Sequence, residues 1–438
     1  LYFFFMSLLS AFVATCYIFS VLFFAAGTVF AFDLPIVRPL FNSKLRKYMI
    51  YVEILTSGLT ESSHHLIILK LVIIQLVKFF GGFNYALSWI MYIVDIINMG
   101  AFGMLFYEML NEITVADTVV KAIDASSQPI KSIVCFEDFK KLINPIWTPE
   151  NIKVHPNITY ANNEEIRDAL NTTNQDFDQP RKMMLDVYTS SKPSKSGLQP
   201  VLVHIHGGAW EYGSKNTFYP HEKLLVQENN WVIVNVGYRL LPKNAYPTHL
   251  MDIKRAIRWM KLNIASFGGD PNFIVLSGDS AGGHLAAMAS MTTNEPQYQP
   301  GFEDVDTSVR GVITLSGALD MVTKANHATF FSKHIAKLDK VDTVFLNQHS
   351  PLSLVEKARG ENKLVPFLLI AGERDGLTEC EMSKSFKEAY DQATGGLGCE
   401  LFLLPAGHHV YYITWSPRSL YISRVIQAWC TQLYIKNK

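Results

Sequence analysis

The sequence predicts an α/β protein with a mostly parallel sheet flanked by helices, preceded by an α-helical region suited to a membrane. Three observations predict it. The chain opens with a stretch that carries no charge from Leu1 to Phe32. From about Pro180 onward, short β-rich runs alternate with helical ones, the pattern of βαβ units. One such run, from Phe273 to Leu276, leads through Gly278-Asp279-Ser280-Ala281-Gly282 straight into a helix of small residues.

At 438 residues the chain exceeds what one core holds, since single cores stop growing at about 250–300 residues. The expected division is a helical membrane region over 1–125 with two or three crossings, a linker over 126–180, and a catalytic domain over 181–438. Charges cancel at 39 Lys+Arg against 39 Asp+Glu, so no global field draws nucleic acid, and oligomeric state is left open. Five cysteines without a C-x-x-C spacing argue against a zinc site or a disulfide scaffold. Cys380 and Cys399 could pair, but free buried thiols are the preferred reading.

In the first region, the uncharged opening is long enough to cross a bilayer and lacks the basic start of a signal peptide, so it is expected to remain as an anchor. Two further apolar stretches run from His65 to Phe83 and from Tyr85 to Leu110, the second with Asp95 as its one charge before Glu108. The His65 stretch gathers Lys70, Gln75 and Lys78 on one arc, so it either crosses against its neighbours, the preferred reading, or lies in the interface. Arg38, Lys44, Arg46 and Lys47 should face the cytoplasm. Two further crossings then place the second part of the chain in the cytosol, and one places it on the other side. The sequons at Asn157 and Asn171 would favour a lumen if used.

In the second part, strands are expected at 183–189, 201–206, 231–238, 273–276, 311–315, 366–371 and 400–404, and helices at 250–266, 282–291, 380–393 and 419–433. Insertions at 292–310 and 318–363, the latter with Phe330-Phe331, are expected to form a lid or acyl-pocket wall.

The strand-to-helix turn at Ser280 needs glycine on both flanks, which is why Gly278 and Gly282 bracket a residue whose hydroxyl stands exposed as a nucleophile. The first-turn amides of the following helix, beginning with Ala281, then face the developing oxyanion. His206-Gly207-Gly208-Ala209-Trp210 follows an apolar strand, and the bare amides of Gly207 and Gly208 are expected as the other oxyanion donors.

An acid and a base must follow in the order Ser, Asp/Glu, His. Asp375, just past a strand end, is the expected acid, with Asp320 as its rival; Asp279 is expected to brace the elbow. His408 and His409 are adjacent candidates for the base, while His284 is expected to pack.

These motifs, together with Tyr238-Arg239-Leu240-Leu241-Pro242, resemble the hormone-sensitive-lipase-like branch of the α/β-hydrolase esterases. Within that branch the sequence looks like bacterial membrane-anchored lipase/esterases. The resemblance covers roughly Pro200 to the C-terminus. It implies an α/β-hydrolase fold, and its closing motif, laid over Pro405-Ala406-Gly407-His408-His409-Val410-Tyr411, selects His409 as the base. Ala209, Ala406 and Tyr411 depart from the family's usual Gly, Gly and Phe.

The function expected is hydrolysis of carboxylic esters of small or lipid apolar substrates through an acyl-enzyme on Ser280, with no metal or organic cofactor. Alternatives on the same residues are hydrolysis of amides, formamides or prenylcysteine methyl esters. A hydrolase-fold binding protein without activity is a third reading.

Overall fold

The computed structural model describes residues 2–34, 48–172, 175–192 and 197–437. Its sheet has eight strands: β1 (Ile152–Thr159), β2 (Met184–Ser190), β3 (Gln199–Ile205), β4 (Val232–Val236), β5 (Gly269–Asp279), β6 (Gly311–Leu315), β7 (Phe367–Gly372) and β8 (Cys399–Leu404). They lie in the order β1-β2-β4-β3-β5-β6-β7-β8. β1 and β2 join antiparallel, and every pairing from β4 to β8 is parallel.

The parallel strands are largely apolar and buried because helices cover both faces. Along β3, Val201, Val203 and Ile205 enter one core while Leu202 enters the other, and all four are fully buried.

One strand lies where the sequence suggested linker. Within 126–180, Ile152–Thr159 forms the sheet edge as β1. Its pattern is broken by Pro156, which donates no amide, and by Asn157 at φ 57°, where the register with β2 shifts. The rest of that segment is docked as well: Arg424 pairs with Asp138 at 2.8 Å, and Trp147 meets Trp415 edge-on. Cys380 and Cys399 are buried and free.

The N-terminal helices are α1 (Tyr2–Ala31), α2 (Met49–Glu61), α3 (Ser63–Phe79), α4 (Ala86–Asn111) and α5 (Ile113–Ile123). Phe5–Ala31 and the continuous Ala86–Ile123 are long and apolar enough to cross a membrane, and α2 with α3, bent by 80° at their junction, would make a third span if counted as one.

At one end of this bundle Ser10 meets the Tyr85 hydroxyl at 3.2 Å. The other end sits on the sheet domain, with the Ala31 carbonyl and Glu108 both on Arg374. His64, at the start of α3, meets the Leu142 carbonyl at this same end. Thus α1 and α4 run toward the sheet domain, α3 runs away from it, and α2 lies across it.

Lys70 is fully buried within the bundle, 2.8 Å from Asp95, which also accepts from the Tyr17 hydroxyl. That pairing accounts for Lys70 on the buried side of a largely apolar helix. The basic residues Arg38, Lys44, Arg46 and Lys47 lie outside the described residues.

Candidate active site

β5 ends at Asp279 and the helix α6 (Ala281–Met291) begins one residue after Ser280, so the chain reverses at that single position. Ser280 takes φ 52° and ψ −117°, a left-handed conformation that costs about 1–3 kcal/mol for a residue with a Cβ. Both flanking glycines are required by space. A Cβ on Gly278 would lie 2.3 Å from the Gly282 carbonyl oxygen, and one on Gly282 would lie 1.9 Å from that of Ile205.

The loops after β7 and β8 bring the other two groups to this turn. His409 Nε2 lies 2.9 Å from Ser280 Oγ, and His409 Nδ1 donates to Asp375 Oδ2 at 2.8 Å. Asp375 is fixed in turn by the amides of Leu377 and Thr378 and by the Thr378 hydroxyl, each at 2.9 Å.

Burial alone would push the His409 imidazole down, but the Asp375 charge and hydrogen bond, with Glu53 and Asp279, raise it above its ordinary value. For Asp375 burial works upward, yet His409 and the Thr378 amide hold the carboxyl below the usual range. An imidazole whose charged form is stabilised by a fixed carboxylate is the arrangement that takes and returns a hydroxyl proton.

The rejected candidates have other tasks. Asp320 caps its own turn, accepting from the amides of Val322 and Thr323. His408 points its Nε2 away from Ser280 and donates to the Ala31 carbonyl at 2.8 Å. His284 donates to the His349 carbonyl, and burial lowers its pKa to about 3.

Asp279 braces the elbow: its Oδ1 accepts from His204 Nε2 at 3.1 Å and from the Tyr219 hydroxyl, and its Oδ2 from the Tyr412 hydroxyl. His204, His221 and Glu222 bring potential metal-ligating atoms within 4.8 Å of one another. Both His204 nitrogens are occupied, by Ser277 and Asp279, so His204 serves as a buried support for Asp279. Burial raises Glu222 there to about 7.

Gly207 departs from the expected oxyanion role, because its N–H is donated to Asp279 Oδ1 at 2.9 Å. Its glycine identity has a different cause: a Cβ there would meet Asp279 Oδ2 at 2.4 Å and the Ser280 Cβ at 3.0 Å. The loop then turns through positive φ at Gly208 (116°) and Ala209 (53°). Ala281, at the first helical position, has an amide with no partner inside the helix.

Over this loop lies the second insertion. Phe331 is fully buried against Trp210, Tyr246 and His284. What the motifs did not reveal comes from the N-terminal helices: Glu53 accepts the amide of His409 and Ser57 that of Val410. Thr378, three residues beyond Asp375, carried no signal of its own either.

Comparison with known proteins is consistent with this geometry. A BD-FAE family profile matches residues 185–390. The chain is 32% identical over 260 residues to "Esterase LipQ" of Mycobacterium tuberculosis, covering 58% of this chain and 60% of that protein. It is 30% identical over 256 residues to "Probable carboxylic ester hydrolase LipM" of the same organism, covering 57% and 58%. The chain thus spans less than two thirds of the length of either relative. Among solved structures, Esterase B from Lactobacillus rhamnosis superposes with a TM-score of 0.52 at 18% identity, over 74% of this chain and 97% of that one, a likeness of fold.

Proposed function

We infer that this chain, which belongs to the hormone-sensitive-lipase-like branch of the α/β-hydrolase serine esterases, is a membrane-anchored carboxylesterase acting on apolar esters through an acyl-enzyme on Ser280. The observation that carries the reading is His409, hydrogen-bonded to Ser280 through one ring nitrogen and to Asp375 through the other.

In the proposed reaction His409 Nε2 takes the Ser280 proton as Oγ attacks the ester carbonyl carbon. The negative charge on the carbonyl oxygen is met by the amides of Gly208, Ala209 and Ala281, aligned by the turn and by the positive end of α6. His409 then protonates the departing alkoxide, leaving the acyl group on Ser280. A water, deprotonated by the same imidazole, attacks the acyl carbon and releases the acid. Asp375 keeps its charge throughout and holds the ring in the required tautomer.

Anchoring is supported by the outward surface of the bundle, where Phe12, Phe19, Ile68, Ile93 and Ile97 are more than half exposed. Phe136, Phe139, Ile143 and Ile146 continue this apolar surface beside the start of α3. The described residues on either side of the basic sequence Arg38 to Lys47 meet the sheet domain, Ala31 through Arg374 and Glu53 through Gly376. By the positive-inside rule the basic sequence from Arg38 to Lys47 favours the cytosolic side for that domain, where sequons at Asn157 and Asn171 would go unused.

Hydrolysis of p-nitrophenyl esters of rising chain length by the full chain, beside Ser280→Ala, tests the reading. The expected result is turnover that depends on acyl length and is lost in the variant.

A further inference from the structure

Glu53 stands in the helical region, far in sequence from the triad, yet its side chain is 96% enclosed between the two catalytic loops. Its Oε1 accepts the N–H of Gly376, next to Asp375, at 2.9 Å. Its Oε2 accepts the N–H of His409 itself at 3.1 Å. One carboxylate thus ties the acid's loop to the base's loop. Four residues on, and so on the same face of α2, the Ser57 hydroxyl accepts the N–H of Val410 at 2.9 Å.

Space confirms the fit, since a Cβ on Gly376 would lie 2.6 Å from Glu53 Oε1 and 2.4 Å from the end of Met49. Around the same loops Ala31 accepts from His408, Glu108 pairs with Arg374, and Glu112 accepts the Ala406 amide. A plain tether would need none of these contacts.

We propose that Glu53 is a positioning residue for the hydrolytic reaction, and that the helical region completes the active site by fixing the loops of Asp375 and His409 through it. The inference rests on the triad reading above. Removing Glu53 loosens the His409 main chain relative to Asp375, and a ring displaced by a fraction of an ångström transfers the Ser280 proton poorly. Glu53 also adds negative charge beside His409. The charged and titratable groups facing that ring are Asp375 and Asp279 from the sheet domain, Glu53 from α2, and the adjacent His408, itself 3.6 Å from Glu53.

The test uses the full chain in detergent or nanodiscs, comparing wild type, Glu53→Gln, Glu53→Asp and Ser280→Ala on a short p-nitrophenyl ester across pH. Glu53→Gln keeps the volume, loses the charge and leaves one of the two amides facing an NH2 group. Its kcat should fall about tenfold to a hundredfold with little change in KM. The acidic limb of kcat/KM should also move to lower pH, because a negative neighbour of His409 is gone.

Glu53→Asp keeps the charge on a shorter arm, so kcat should fall while the acidic limb stays in place. A purely structural role would lower the folded fraction and leave the limb of the surviving enzyme unmoved. Wild-type kcat and an unmoved limb in Glu53→Gln overturn the proposal. Should that variant not fold, wild-type kcat in Glu53→Asp overturns it, and a depressed kcat with the limb in place supports it. Full activity in Ser280→Ala would instead remove the triad reading beneath it.

Discussion

His408 and His409 are neighbours in the chain, but they serve opposite sides of one interface. His409 turns inward to Ser280 at 2.9 Å, and His408 turns outward to the Ala31 carbonyl at the end of α1 at 2.8 Å. Catalytic loop and helical bundle therefore share a single turn of backbone.

From this divergence the two imidazoles should separate cleanly in mutagenesis. His409→Ala removes the imidazole hydrogen-bonded to Ser280, the proposed base, and should lower kcat by about 10³-fold or more. His408→Ala should keep kcat within about tenfold and lower the thermal midpoint, since it deletes one buried hydrogen bond between bundle and domain. Steady-state kinetics and thermal unfolding of the two proteins check both statements.

Asp375→Asn should preserve the shape of the site and lose about 10³–10⁴ in kcat, because an amide at that position no longer fixes the tautomer or the charge of His409. Asp320→Asn, which replaces a carboxylate that accepts from the amides of its own turn, should stay within about threefold of wild type.

The pH profile follows from the raised pKa of His409. Only the neutral ring accepts the Ser280 proton, so kcat/KM should fall as pH drops through a midpoint above the ordinary histidine value of about 6.5. Stability responds in the opposite sense. A raised folded-state pKa contributes stability fully below the unfolded value, and that contribution is lost as pH rises through the folded value. A midpoint of kcat/KM below that of free histidine would contradict the assignment.

How much of this was legible in the sequence varied with the kind of constraint involved. The elbow was legible because steric demands at Gly278 and Gly282 write themselves into residue type. Asp375 was legible from its place after a strand, whereas the choice of His409 over His408 came from resemblance, since adjacency alone gives no orientation. β1 was hidden by Pro156 and Asn157, which break the alternation that marks a strand. The bond from Gly207 to Asp279 joins two loops 72 residues apart, and no local pattern records such a pairing. Glu53 was silent for the same reason: a lone acid in an apolar stretch acquires meaning once its helix docks.

Within the bundle, Lys70 and Asp95 should behave as a buried pair. Lys70→Met alone strands the Asp95 carboxylate and should cost about 3–5 kcal/mol, while Lys70→Met combined with Asp95→Leu should recover most of the loss. Thermal unfolding of the single and double variants in one detergent reads this directly.

Everything proposed for this chain turns on Ser280 as the nucleophile of a serine esterase. Labelling of the 438-residue chain with a fluorophosphonate probe, followed by mass analysis of the modified peptide, is the decisive measurement. One adduct is expected, on Ser280, with parallel loss of ester hydrolysis and no labelling of Ser280→Ala. An unlabelled wild type, or equal labelling of Ser280→Ala, would contradict it.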